Sequence, residues 1–267
     1  MTPLAVVRHA VMSVPDPQAE PLTYPGLMPD RPSILLYGSE IMDITPSDLP
    51  VGKWSTRCGI DDLALDTVLG NEGLAPIADR QPVLAIGSNA STAQLWRKFT
   101  NAGLRPIVPL TAVTVPGIMA GVSAHVSRPG YLPATPVADP EATSDLFITW
   151  LDAEQLAAMD LTEPNYDRIR LGSQYPVTFP HGPAVDGCWL YVSKHGHLAD
   201  RDGCPLPLAS QEALIMWLLH EVPALAAVTG ETPVEWVIRC QLPEVREEVR
   251  VMLRDSGLVR SCERLRA

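Results

Sequence analysis

Val83-Leu84-Ala85-Ile86-Gly87-Ser88-Asn89 reads as a short buried strand that runs straight into a turn. Four consecutive apolar side chains are followed by Gly-Ser-Asn, ordinary turn chemistry, and then by Ser91, a residue suited to cap a helix. The backbone N–H groups of such a turn can hold an anion or a developing oxyanion. Further on, an amphipathic stretch ends in Met159-Asp160-Leu161-Thr162-Glu163, with Tyr166 and Arg168 close behind. It offers one carboxylate, Glu163, in apolar surroundings, the kind of group that works as a general acid/base. Each segment alone also has a plainer reading. Gly87-Ser88-Asn89 suits any turn, and Glu163, placed before Pro164, could answer Arg168 or Arg170 at the surface.

Outward from this pair, strand-like runs recur at Val83–Ile86, Thr111–Val115, Leu146–Trp150, Ile169–Leu171 and Cys188–Val192. Gly/Pro turns separate them, with only two short helices between. This predicts an α+β fold or a β-barrel in place of repeated βαβ units. The first helix is expected from Ser91, with Gln94 in the capping-box position, to about Asn101-Ala102-Gly103. The second is expected from Asp152, with Gln155 in the same role, to near Glu163. Residues 1–80 form a Pro-rich N-terminal extension with one strand, Ser33–Tyr37, and residues 81–205 an α+β core. Residues 206–267 turn helical at Gln211–Leu219, Val234–Arg239 and Pro243–Arg254, the last with Val245, Val249 and Met252/Leu253 inward. Leu36-Tyr37-Gly38-Ser39-Glu40 echoes the later turn, but nothing downstream pairs with it, so it is set aside as a decoy.

Composition narrows the function. The 267 residues are 46% apolar and 19% charged, which suits a globular chain. A net charge of -11, without a Lys/Arg cluster, argues against a nucleic-acid partner. Only Lys53, Lys98 and Lys194 are lysines, a bias that reads as genomic base composition. Arg246, Arg250, Arg254, Arg260, Arg264 and Arg266 are interleaved with Glu244, Glu247 and Glu248, as on a solvated, ion-paired helix face. Met1–Glu20 lacks a charged region followed by a long apolar run, and Ala213–Leu219 is too short to cross a bilayer. No membrane partner is therefore expected. Five scattered cysteines without a CxxC suggest reduced thiols and a cytoplasmic location. Cys188, His195, His197 and Cys204 lack the tight pairing of a zinc site, so no metal is expected. His125 is a candidate either for a pocket wall or for the core, and Ser88 lacks the elbow sequence of a serine nucleophile.

Ile86-Gly87-Ser88-Asn89, Met159-Asp160-Leu161-Thr162-Glu163 and Tyr166-Asp167-Arg168, in this order, resemble the γ-glutamyl cyclotransferase-like family. That family opens with a strand ending in Tyr-Gly-Ser-Asn and later has a helix ending in Leu-Asp-x-x-Glu, often with Tyr-x-Arg close behind. Gly130-Tyr131-Leu132-Pro133-Ala134-Thr135-Pro136 resembles the region before the family's central strands. The resemblance covers about residues 83–192. It implies a mixed, partly closed β-barrel with short helices, here followed by the C-terminal helical segment. Glu163 stands where the family carries its acid/base carboxylate. Ile86, Gly87, Ser88, Asn89, Tyr166 and Arg168 fall at substrate-binding positions. Ile86 replaces the family's tyrosine, removing a hydroxyl and an aromatic face, whereas Met159 for leucine conserves volume.

The implied reaction is intramolecular aminolysis of a small amide-bearing or amino-acid-derived substrate. An α-amine attacks its own side-chain amide carbonyl, a lactam such as 5-oxoproline closes, and an amine leaves. Lyase and transferase chemistry without metal or organic cofactor is the corresponding expectation. The alternative is a non-catalytic small-molecule-binding or regulatory module on the same fold, which Ile86 favours and Glu163 disfavours. A third candidate is a structural interaction protein that uses its acidic surface and the helices bearing Trp217 and Trp236. The extension and the C-terminal helices are candidates to cover the pocket mouth or to form a homodimer surface.

Overall fold

A computed structural model describes residues 16–58, 61–180, 184, 185 and 187–265, with the side chain of Cys58 left aside. Arg266 and the first fifteen residues of the N-terminal extension lie outside the described residues. Alternating burial builds the centre of the molecule. In β1 (Ser33–Tyr37), Ile34 and Leu36 face one side of the sheet and Leu35 the other; in β5 (Gln81–Ala85), Val83 and Leu84 divide in the same way. Both strands therefore have covered faces, which is why they read as apolar runs.

The remaining strands are β2 (Glu40–Thr45), β3 (Ser55–Cys58), β4 (Asp61–Ala64), β6 (Ile107–Val122), β7 (Ala134–Leu151), β8 (Tyr166–Arg170) and β9 (Trp189–Ser193). They form one mixed sheet in the order β4-β3-β2-β1-β6-β7-β5-β9-β8. Every neighbouring pair is antiparallel except β5 and β9. A separate pair joins β10 (His197–Leu198) to β11 (Val259–Arg260). The fold is thus α+β. Among the described residues β4 and β8 end the sheet unpaired with each other, so its order is that of an open sheet.

The long β6–β7 ribbon slips register between Pro116 and Ile118, where Gly117 adopts φ 80°. A left-handed conformation is cheap only for glycine, so the bulge falls there. The first eighty residues carry β1 to β4 and the helix α1 (Leu65–Asn71), three strands and a helix beyond the one strand expected. β2 interrupts Ile41, Met42 and Ile44 with a charged residue, and β3 and β4 are short, so none has the apolar run that marks β1. The decoy Gly38-Ser39 is the two-residue loop of the β1–β2 hairpin, with Gly38 at φ 62°.

Helices α2 (Thr92–Asn101) and α3 (Ala153–Thr162) cover one face of the sheet. Leu95, Phe99, Leu156 and Met159 pack against Ile34, Leu36, Val83 and Leu110. Each such side chain contributes about 1.5–3 kcal/mol when fully buried. Gln155 forms the expected capping box with Asp152. Its side chain also accepts from buried Arg80 at 3.0 Å and donates to the Ile107 carbonyl at 3.1 Å. Gln94 does not form the other box. Its side chain turns to Asp16 and accepts from Arg97, and Ser91 caps α2 without a side-chain bond. An ion-paired cluster outcompetes the local cap.

The C-terminal helices are α4 (Gln211–Glu221), α5 (Leu225–Thr229), α6 (Pro233–Arg239) and α7 (Pro243–Asp255). Leu214, Leu218, Leu225, Val249 and Leu253 surround a fully buried Trp236, whose indole N–H donates to the Gly130 carbonyl at 3.1 Å. Met216, Val234, Ile238 and Leu242 remain exposed. Among the described residues no helix is long and apolar enough to cross a membrane.

Candidate functional site

Strand β5 ends by delivering Ile86-Gly87-Ser88-Asn89 to the rim of a cavity of about 380 Å³. After Gly87 a single 3-10 turn, Ser88–Ala90, leads into α2 and directs the Asn89 side chain toward α3. Gly87 is required by close approach, its φ of -135° lying outside the left-handed region. A Cβ there would fall inside contact distance of the Tyr24 hydroxyl and 2.8 Å from the Ala134 Cβ.

Glu163 arrives from the other side, at the C-terminal end of α3. Its Oε1 accepts from Lys98 Nζ at 2.6 Å and from Asn89 Nδ2 at 3.2 Å. Lys98 Nζ also donates to Asn89 Oδ1 at 2.7 Å, closing a triangle that locks loop, α2 and α3 together. The Lys98 and Glu163 side chains are only 9% and 15% exposed. This pair is therefore shielded from solvent, unlike a surface salt bridge. Neither Arg168 nor Arg170 takes the surface role considered for the Glu163 carboxylate.

Tyrosines form much of the remaining wall. Tyr24 stacks on Tyr131 with ring centroids 4.2 Å apart, and its hydroxyl accepts from the Ala134 N–H at 2.8 Å. Burial pushes the Tyr24 phenol well above its ordinary value, against a lowering contribution from the Ser88 backbone amide at the same oxygen. Burial likewise holds Tyr131 up at about 12 and raises Tyr166, whose hydroxyl donates to the Ala134 carbonyl at 2.9 Å. All are neutral O–H groups near neutral pH. Tyr24, from the first eighty residues, and Tyr131 thus bring aromatic faces and hydroxyls to the same cavity wall as Ile86.

Charge at the cavity is mixed. Arg97, Lys98 and Arg128 line it together with Glu163, while Arg97 is tied to Asp16 at 3.3 Å. His125 is a lining residue as well, its Nδ1 lying 2.6 Å from the Ser123 hydroxyl. Burial, reinforced by neighbouring His195, drops its pKa from 6.5 to about 3, so it is a neutral imidazole at pH 7.

The structure brings Glu163, Ile86, Gly87, Ser88, Asn89 and Tyr166 to one cavity. Arg168 is placed elsewhere. Its guanidinium makes a bidentate pair with Asp160, at 2.9 and 3.1 Å, and lies 4.6 Å over the Trp189 ring. Tyr191 adds a hydrogen bond to Asp160 at 2.7 Å. Burial raises the Asp160 carboxyl, but the Arg168 and Tyr191 hydrogen bonds outweigh it and hold it below the ordinary carboxylate range. Lys98 and Tyr24 are the residues that sequence reasoning missed. The rarity of lysine in this chain was the available signal for the first; the second lies about sixty residues before the loop it touches.

No protein-family model matches the chain, and no curated protein does. Several solved chains are similar to it, among them the following two. One is the solution structure of a protein from Arabidopsis thaliana, at 15% identity, covering 45% of this chain and 72% of that one, with a TM-score of 0.27. The other is a gamma-glutamyl cyclotransferase, at 12% identity, covering 64% of this chain and 99% of that one, with a TM-score of 0.35. Likeness at this level says nothing about chemistry, which must be read from the site. In structure, as in its short motifs, the chain is partly similar to a γ-glutamyl cyclotransferase.

Proposed function

We propose that the protein is a γ-glutamyl cyclotransferase-like enzyme that closes a γ-glutamyl, or related amide-bearing, amine to a lactam and releases an amine. The observation that carries this is the shared cavity: Glu163 and the loop residues Gly87, Ser88 and Asn89 line the same space of about 380 Å³. Glu163 removes a proton from the substrate ammonium. The freed nitrogen attacks the side-chain carbonyl carbon, forming the ring C–N bond, and the carbonyl electrons move to oxygen. The Asn89 backbone N–H and the Tyr24 hydroxyl are the groups assigned to hold that oxyanion or the substrate carboxylate, with the Ser88 amide holding the Tyr24 oxygen. As the carbonyl re-forms, the C–N bond to the leaving amine breaks; Glu163 passes to that nitrogen first the proton it holds and then the second proton shed by the ring nitrogen, so that a neutral lactam and an ammonium are released. Because both reacting atoms belong to one molecule, ring closure is favoured by up to ~7–11 kcal/mol in well-oriented cases. Lys98 and Asn89 act as positioning residues that fix the Glu163 carboxylate. The scheme uses no metal or cofactor.

With this reading go a cytoplasmic location, a curled, partly closed sheet of the γ-glutamyl cyclotransferase type, and the C-terminal helices as a homodimer surface. Arg168 serves it only indirectly, by bracing Asp160 at the end of α3.

The test is a panel of γ-glutamyl amino acids and γ-glutamyl amines, with 5-oxoproline and released amine measured by mass spectrometry. Glu163→Gln should abolish turnover and still bind 5-oxoproline in calorimetry. Wild-type rates in that variant would remove Glu163 from the mechanism. One observation favours the alternative of a non-catalytic binding module: Lys98 already sits on the Glu163 carboxylate. Ligand binding across the panel without product would select it.

A further inference from the structure

A second cavity, of about 350 Å³, lies where β10 and β11 meet, and its walls include His197, Arg260, Cys262, Arg264 and Asp139. The β10–β11 register sets His197 opposite Arg260, and Cys262, two residues further on, brings its sulfur to 3.6 Å from His197 Nδ1. Both residues are buried from bulk solvent yet border the cavity. Burial, and then the neighbouring Arg260 charge, lowers the His197 pKa, so it is a neutral imidazole at pH 7; it is the 3.6 Å contact that puts the thiol proton within reach of its Nδ1. Among the described lining residues, Arg260 and Arg264 stand against the single carboxylate of Asp139, which biases the space toward anions. Elsewhere in the interior, burial alone raises Cys188 to about 12, and the same cause, only partly offset by Arg246, takes Cys240 to about 12.

We propose that Cys262 and His197 form a thiol modification site for small carboxylate-bearing electrophiles, drawn in by Arg260 and Arg264. The thiol proton passes to His197 Nδ1, the sulfur forms the new S–C bond, and the leaving group departs with the electrons of its own bond to carbon. The site is separate from the cavity at Glu163 and does not depend on the reaction proposed there.

Iodoacetate and iodoacetamide are the probes, differing mainly in charge; each is applied to the full chain at pH 7 and followed by peptide mass mapping. Exposed Cys204 is the internal reference. The ratio of iodoacetate to iodoacetamide rates at Cys262 should exceed that at Cys204 by about tenfold, the lower end of electrostatic steering. The exposed Arg264→Gln change should reduce that ratio, and His197→Asn should slow both reagents at Cys262 but not at Cys204. Equal ratios at the two cysteines, or a Cys262 as inert as Cys188 and Cys240, would overturn the assignment. Because the wild-type ratio and the surface variant suffice, the test survives if His197→Asn fails to fold.

Discussion

Lys98 and Glu163 make the sharpest test of the site as built. Their side chains are 9% and 15% exposed and 2.6 Å apart, so removing one charge leaves the other largely cut off from water. Breaking a buried pair typically costs 3–5 kcal/mol, and partial exposure together with the remaining Asn89 bond to Glu163 puts Lys98→Met near the lower end, about 3 kcal/mol. Glu163→Gln retains an acceptor for Lys98 and should cost about 1–2 kcal/mol. The double variant leaves neither charge stranded, so its loss should fall short of the sum by about 1.5 kcal/mol. At 267 residues, each kcal/mol corresponds to a melting shift of about 2–3 °C, giving about 6–9 °C for Lys98→Met. Urea unfolding of the four proteins, fitted with a common slope, gives the cycle. Single effects that add within about 0.5 kcal/mol would mean the pair is uncoupled in solution and the triangle with Asn89 does not hold the site together.

Three further outcomes follow from the packing. Gly87→Ala forces a methyl against Tyr24 and Ala134 and should lower stability by about 1–3 kcal/mol. Tyr24→Phe removes one of the clashing atoms, so thermal melts of the pair should be less than additive, and a wild-type melt for Gly87→Ala would deny the close approach. Gln155→Ala strips the buried Arg80 guanidinium of an acceptor and α3 of its capping box, a loss of about 2–3 kcal/mol in denaturant titration. A loss below about 0.5 kcal/mol would show that Arg80 has found another acceptor. The His125 pKa is depressed in the folded state, so its contribution is fully present above pH 6.5 and is lost as pH falls toward about 3. His125→Gln should therefore show a shallower decline of stability from pH 7 to pH 4 than wild type; parallel curves would contradict the burial of a neutral imidazole.

Much of the framework was legible because its causes are local. Val83–Ala85 and Ser33–Tyr37 are apolar on both faces, and Asp152 with Gln155 caps α3 through partners three residues apart. The C-terminal helices announced themselves through Val249 and Leu253, one turn apart on one face. The strands β2–β4 lack a clear signal of their own because short strands interrupted by charged residues acquire their conformation from the strands they pair with, not from their own pattern. The capping role expected of Gln94 failed for a related reason: Asp16, far away in sequence, offered a charged partner.

At the site, the chain by itself determined which residue types were on hand: a carboxylate at the end of one helix and a Gly-Ser-Asn turn at the start of another. Both are short-range features, written in consecutive residues. Tertiary structure alone decided that Lys98 closes on Glu163 and that Tyr24 reaches the loop from the N-terminal extension. It also turned Arg168 to Asp160 and Trp189, away from the cavity. Such pairings depend on which burial leaves a charge or hydroxyl needing a partner. That is settled only when β5, α2 and α3 pack on one another.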